Sequence, residues 1–267
     1  MSDARKVLAG WVAILAGSGA TLAASTPAAT EWLDKLAAVH RRVPFQFRYD
    51  ADLRVSQMGQ MTDVEVRGRS TQGSGKRIRV ETTMVMAVPG SETKASLEMI
   101  GVSNGAVLWI EMDNPLTGGR QALRIPLDKL EQIAASNPLA RNLSRMDPLA
   151  QIAEAAKQFD FDLVSRGPRS VTLRAKLTGE ALERAKRTFE GVDPSAIEHL
   201  TLVLDSETAF PHEIRLGSDT ASALAMKFFD LEFLDNVDDG SFVYVPPEGM
   251  AVLDLGSLAE QGAGDNP

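Results

Sequence analysis

Alternation is the feature that most restricts this chain. Phe45, Phe47 and Tyr49 are interleaved with Gln46, Arg48 and Asp50, and Val64 and Val66 with Glu65 and Arg67. The same period of two returns where Ile78 and Val80 flank Arg79 and precede Glu81, and turns such as STQGSG, PGSETK and SNG separate the runs. A period of two puts every second side chain on one face of an extended strand, so each run reads as a half-buried strand. Turns this short join antiparallel neighbours, because a parallel crossover needs about a dozen residues or more. An antiparallel meander with one apolar face follows.

The middle of the chain breaks the pattern. Trp32, Leu36 and Val39 recur at spacings of four and three, which predicts a short amphipathic helix over 31–42, ended by Pro44. Leu127, Leu130, Ile133 and Ala134 fit one helical face, and Pro138 and Pro148 punctuate further helical stretches up to Phe159. Beyond them the expectation is strands at 161–164 and 171–177, a helix over 180–189, and strands at 200–204, 212–216, 224–233 and 242–245. No linker divides the chain, so residues 25–256 read as one α+β domain whose large sheet is covered on its apolar face by the helices of 127–159.

The two ends read differently. Arg5 and Lys6, an apolar run over 7–16 and the small-residue stretch GSGATLAASTPAA make a positive, apolar, cleavable order, and residues 1–24 read as a secretory signal peptide. The polar, glycine-rich residues 257–267 read as a frayed tail. An exported, soluble, periplasmic protein is the expectation. The absence of cysteine removes thiol catalysis, zinc–thiolate sites and a lipid-modified cysteine. A net charge of −8 argues against a nucleic-acid partner, since neutralising phosphates takes an excess of Lys and Arg.

Motifs for covalent chemistry fail on inspection. His40, His199 and His212 are scattered singly, without metal-ligand spacing. Gly73–Lys76 has a phosphate-loop look, yet Arg77 stands at the Ser/Thr position, Ser70 at the leading Gly, and the flanks read as a hairpin. The acidic stretch from Asp235 to Gly240 starts like a calcium loop but has Val237 at its third ligand position and Pro246 where the closing Glu belongs. There is no Gly-x-Ser-x-Gly elbow. The expectation is a binding protein with no enzyme activity, metal or cofactor.

A softer signal remains. Met84, Met86, Met99, Met112 and Met226 all fall on predicted strands. Methionine fills irregular space and tolerates variable partners, which suits a face that takes changing apolar ligands, but it suits a packed core equally well.

The segment FFDLEFLDNVDDGSFVYVPPEGMAVLD resembles the closing hairpin of the periplasmic outer-membrane lipoprotein carriers, the LolA-like family. The matching positions are Phe242, Tyr244, Pro246, Pro247 and Gly249. SNGAVLWIEM resembles the family's glycine turn before a Leu-Trp strand (Gly105, Leu108, Trp109), RQALRIPLDKL its strand entering the first central helix, and DSETAFPHEIRL its hairpin with Pro211 and Ile214. The resemblance spans roughly residues 31–254. It implies a large curved antiparallel sheet, an incomplete β-barrel, with the central helices lying over the concave face as a lid. It further implies carriage of lipoprotein acyl chains or other lipids between an inner-membrane ABC-type release complex and an outer-membrane acceptor. The family's Arg-Pro pair, whose arginine tethers the lid in well-studied members, is not clearly present here: Lys76 and Arg77 lie in its neighbourhood without a proline.

Parity selects the lining of such a concavity. On 107–112 the fully apolar set is Leu108, Ile110 and Met112, while Glu111 shares the other face with Val107 and Trp109. Similar reasoning selects Val80, Met84, Met86, Leu97 and Met99 from neighbouring strands, and Leu130 and Ile133 from the lid. A carrier's core and pocket are one layer, so the same residues serve a solid core just as well. A sensor or adaptor built on the same half-barrel and a non-binding structural domain are the other readings.

Overall fold

The computed structural model describes residues 25–39, 42, 44–57, 60–87, 93–114, 119–136, 149, 159–188, 197–218 and 221–257. The proposed signal peptide, the tail beyond Ser257 and most of the stretch between Pro138 and Phe159 lie outside them. A first helix, α1 (Pro27–Val39), leads into six strands, β1 (Phe45–Gln57), β2 (Gln60–Gly73), β3 (Arg77–Ala87), β4 (Lys94–Asn104), β5 (Val107–Asn114) and β6 (Gly119–Pro126). After α2 (Leu130–Ser136) come β7 (Phe161–Arg166), β8 (Ser170–Lys176), α3 (Gly179–Thr188), β9 (His199–Asp205), β10 (Pro211–Gly217), β11 (Ser222–Phe233) and β12 (Ala251–Asp254).

All strands join one 12-stranded sheet in the order β12-β6-β5-β4-β3-β2-β1-β11-β10-β9-β8-β7. Two meanders, β1–β6 and β7–β11, meet where β1 pairs with β11, and the sheet stays open with β12 and β7 as its edges. The alternation is what makes this possible, since β1, β2, β3 and β8–β11 each offer a buried apolar row to the same side. Phe45, Phe47, Tyr49, Ala51 and Leu53 of β1 stand in register with Gln72, Ser70, Gly68, Val66 and Val64 of β2. They also stand beside Met226 and Phe228 of β11, and Ile214, Leu202 and Leu173 continue the row across β10, β9 and β8. At the β1–β11 joint the register slips between Gln46 and Arg48, and Asp230 takes a left-handed φ of 55°, a bulge conformation that Asp tolerates better than most residues.

Two expectations need correction. The sheet is not wholly antiparallel, because β12 runs parallel to β6, with Leu253 beside Leu123. The predicted strand at 242–245 is no strand either: Asp239–Phe242 form a 3-10 turn, and an irregular segment carries the chain on to β12. This strap crosses the outer face of the sheet, where Phe242 is buried against Gly73, which has no side chain to keep it off. The chain thus reaches β6 from the far side and arrives with parallel polarity.

The helices follow their apolar spacing. Pro27 opens α1, where its missing N–H costs nothing, and Ala29, Trp32, Leu36 and Val39 are buried. They share one core cluster with the inner rows of β1, β2, β3 and β8–β11. The N-terminal end of α1 is tied to the edge strand β7, with Thr26 N donating to Phe161 O at 3.1 Å and Phe161 N to Ser25 Oγ at 3.1 Å. The central helix begins at Leu130, with Leu127 in the turn before it. The further helical cover expected up to Phe159 lies outside the described residues, apart from the fully buried Leu149.

Candidate functional site

Strand register places all the strand residues selected from the sequence on one face. Val80, Met84 and Met86 oppose Gly101, Leu97 and Ala95, while Met99 opposes Met112 and Gly101 opposes Ile110. Leu108 stands beside Ser103 and Ile125. The layer is divided in two. Val80, Met84, Met86 and Leu97 belong to the cluster that includes α1, whereas Leu108, Ile110 and Ile133 form a second cluster with Leu123, Ile125 and Leu255, against which Met99, Met112 and Leu130 pack. Leu97, Met99, Met112 and Leu130 remain half-buried, so the layer is least filled along β4 and the free end of β5.

Polar residues on this same face escaped the apolar pattern. Tyr49 lies flat over Gly68, where any Cβ would meet its ring, and its hydroxyl shares a 2.7 Å hydrogen bond with Thr82. Burial pushes that phenol up to about 12. Ser70, Gln72 and Ser103 are buried on the inner face as well. Their signal was available, since Ser70 and Gln72 share parity with Val64 and Val66.

The outer face is charged and partly covered by the strap. Glu111, nearly buried, accepts from Tyr244 Oη at 2.8 Å and Arg120 Nε at 2.9 Å, and the Tyr244 ring packs on Trp109 with centroids 5.6 Å apart. Burial and the neighbouring Glu111 carboxylate drive the Tyr244 hydroxyl well above its ordinary value, so it stays a donor. Arg77 pairs with Asp239 and stacks over Phe242, which commits it to the strap on the outer face. A polar cleft of about 380 Å³ separates strap from sheet, lined by Arg69, Arg79, Glu81 and Asp238 among others. Among the described residues no cluster of three or more His, Asp or Glu is arranged to hold a metal ion, and no helix is long and apolar enough to cross a membrane.

The attachment of β12 depends on a carboxylate. Burial raises the Asp254 group, but hydrogen bonds from Arg124 (2.7 Å) and from the Gly256 and Ser257 N–H groups outweigh it and hold it below its ordinary 3.8. A depressed carboxylate contributes stability above its unfolded value that is lost as pH falls through the folded one, here below about 3.8. The pair is a third exposed, so the effect is small. Thermal melts at pH 6 and pH 3 are expected to differ less in Asp254→Asn than in the parent by about a degree; an unchanged difference removes Asp254 from acid sensitivity.

No family model matches the sequence, and no curated protein does. Among solved structures the chain is similar to an uncharacterized conserved protein from Thermus thermophilus, at 14% identity over 85% of this chain and 99% of that one, with a TM-score of 0.44. It is similar also to LprF from Mycobacterium bovis, at 9% identity, 76% and 93% coverage and a TM-score of 0.39. A LolA superfamily protein from Nitrosomonas europaea matches at 12% identity, 84% and 99% coverage and a TM-score of 0.26. The neighbours therefore include the family that the closing segment resembles in sequence. With TM-scores below 0.5 they carry no argument about ligands, which rests on the chain's own geometry.

Proposed function

We propose that this protein binds acyl chains or other lipid-like ligands on the inner face of its sheet and carries lipoproteins through the periplasm. The observation that supports this reading is the asymmetry of the sheet: its inner rows are apolar on strand after strand, while the outer positions of β1–β3 carry Arg48, Asp50, Glu65, Arg67, Arg79 and Glu81. An open sheet with such a face exposes a sticky surface unless something covers it. Methionines at Met84, Met86, Met99 and Met112 give the face a floor that adapts to a flexible chain. Each methylene removed from water gains about 0.8 kcal/mol, so one long chain supplies on the order of 10 before ordering costs. Partners at the two membranes, an ABC-type release complex and an outer-membrane acceptor, follow from the family resemblance.

Native mass spectrometry of protein purified from an envelope extract should find it carrying lipid-sized mass, and a spectrum of bare polypeptide alone counts against carriage. In a titration with a fluorescent fatty acid, Met99→Lys is expected to weaken uptake at least about tenfold, because a charge must be desolvated wherever the chain lies. Met99 is half-buried, so the variant should stay folded. Undiminished uptake by folded Met99→Lys moves the binding face elsewhere.

A further inference from the structure

Buried hydroxyls almost always find a hydrogen-bond partner. Ser70 does not: it is fully buried on the inner face of β2, and its Oγ has no partner among the described residues. Its cross-strand neighbours are Phe47 on β1 and Val80 on β3, and the next position of the row is Gly101, which has no side chain. The hydroxyls of Tyr49, Thr82 and Ser103 on this face are engaged. Tyr49 and Thr82 bond to each other, and Ser103 Oγ donates to Lys76 O at 2.9 Å while accepting from Gly105 N.

Ser70 also sits where the floor changes character along the strands. Val64 and Val66 of β2 stand beside Met86 and Met84 of β3, whereas Ser70 and Gln72 follow on the same face toward the other end, across from Gly101 and Ser103 two strands away. On β2 and β4 the inner face therefore runs from aliphatic and thioether side chains at one end to hydroxyl, amide and bare backbone at the other, while Phe45 and Phe47 of β1 and Ile78 and Val80 of β3 stay apolar beside them.

We infer that Ser70 is a specificity-determining anchor on the inner face: its hydroxyl donates to the carbonyl oxygen of an ester or amide linkage, while the attached chain extends toward Met84, Met86 and Leu97. The inference rests on the proposed binding of acyl ligands. It adds that the face distinguishes acyl compounds from hydrocarbon of equal length and fixes which end of the ligand lies where. A carbonyl suits the position because it supplies an acceptor without bringing a charge into an apolar layer.

The test uses two probes with the same fluorophore and chain length, an acyl methyl ester and a hydrocarbon without the carbonyl, against the parent protein and Ser70→Ala. The parent should bind the ester more tightly, and Ser70→Ala should lose about fivefold for the ester and less than about twofold for the hydrocarbon, the size of one net neutral hydrogen bond. Because the hydroxyl has no partner among the described residues, Ser70→Ala should melt no lower than the parent. Equal effects on both probes, no effect on the ester, or a clear drop in melting temperature overturns the anchor while leaving acyl binding intact. Failure of the parent to bind either probe overturns the binding reading as well. A lipidated-cysteine peptide and a dispersed phospholipid, each competed against the ester, distinguish the two sources of the carbonyl: displacement by either supports the anchor and the stronger competitor names the source, whereas displacement by neither counts against it.

Discussion

Phe47→Ala is expected to lower stability by about 3–5 kcal/mol and the melting temperature by about 10 °C. Phe47 is 1% exposed and occupies the seam between the two meanders. Its ring lies 5.5 Å from Phe210, 5.9 Å from Phe228, 6.1 Å from Phe45 and 6.2 Å from Tyr49, centroid to centroid. Alanine would leave a void walled by strands whose backbones are pinned by pairing on both sides, so collapse into it is limited. Val164→Ala on the edge strand β7, where the side chain is 51% exposed, should stay within about 0.5 kcal/mol. Thermal melts followed by circular dichroism give both numbers. Near-equal values would mean that the seam is not part of the core.

Arg120→Met is expected to cost about 2–4 kcal/mol, although Arg120 lies at the surface. The loss arises at its partner: the Glu111 side chain is only 8% exposed and accepts from both Arg120 Nε and Tyr244 Oη. With the guanidinium gone, a nearly buried carboxylate has only a neutral donor. Methionine preserves much of the stem, which separates lost charge from lost packing. Adding Glu111→Gln should restore part of the loss, because it removes the stranded charge while leaving an acceptor for Tyr244. Hydrogen exchange over 239–254 should accelerate in the single variant more than in the double one. If the two variants behave alike, the strap is held by its rings, Phe242 on Gly73 and Tyr244 on Trp109, and the ion pair matters little.

Period-two alternation located β1, β2 and β3 because half-buried extended backbone has that signature whatever its neighbours, whereas β6 was legible only through the resemblance of RQALRIPLDKL to a strand entering a helix. The same generality produced the error at 242–245. Phe242 and Tyr244 do face the sheet while Val243 and Val245 face solvent, yet the segment lies across the sheet's outer surface and pairs with no strand. Alternation records which way side chains point, and ladder partners are set by contacts far away in the chain. Pro246 and Pro247, which lack backbone donors, were a local sign that no ladder continues there. Parity likewise grouped Leu108, Ile110 and Met112 with Val80, Met84, Met86, Leu97 and Met99 on one face, since a one-residue slip would turn all of them outward. The selection of apolar residues alone hid Ser70, and the place of α1 in the core had no local signal beyond its own amphipathicity.

The pairing of β1 with β11 also bears on how the molecule comes off the ribosome. Arg48 and Asp230, ion-paired across that seam at 3.1 Å, are 182 residues apart in the chain. While the first meander is being synthesised, one rim of its sheet has no mate, and its greasy side waits for strands that have not yet been translated. Such long-range closure is slow and leaves sticky intermediates. Until Ser222–Phe233 is translated, the rim of β1 has no partner strand and the first meander cannot complete its sheet.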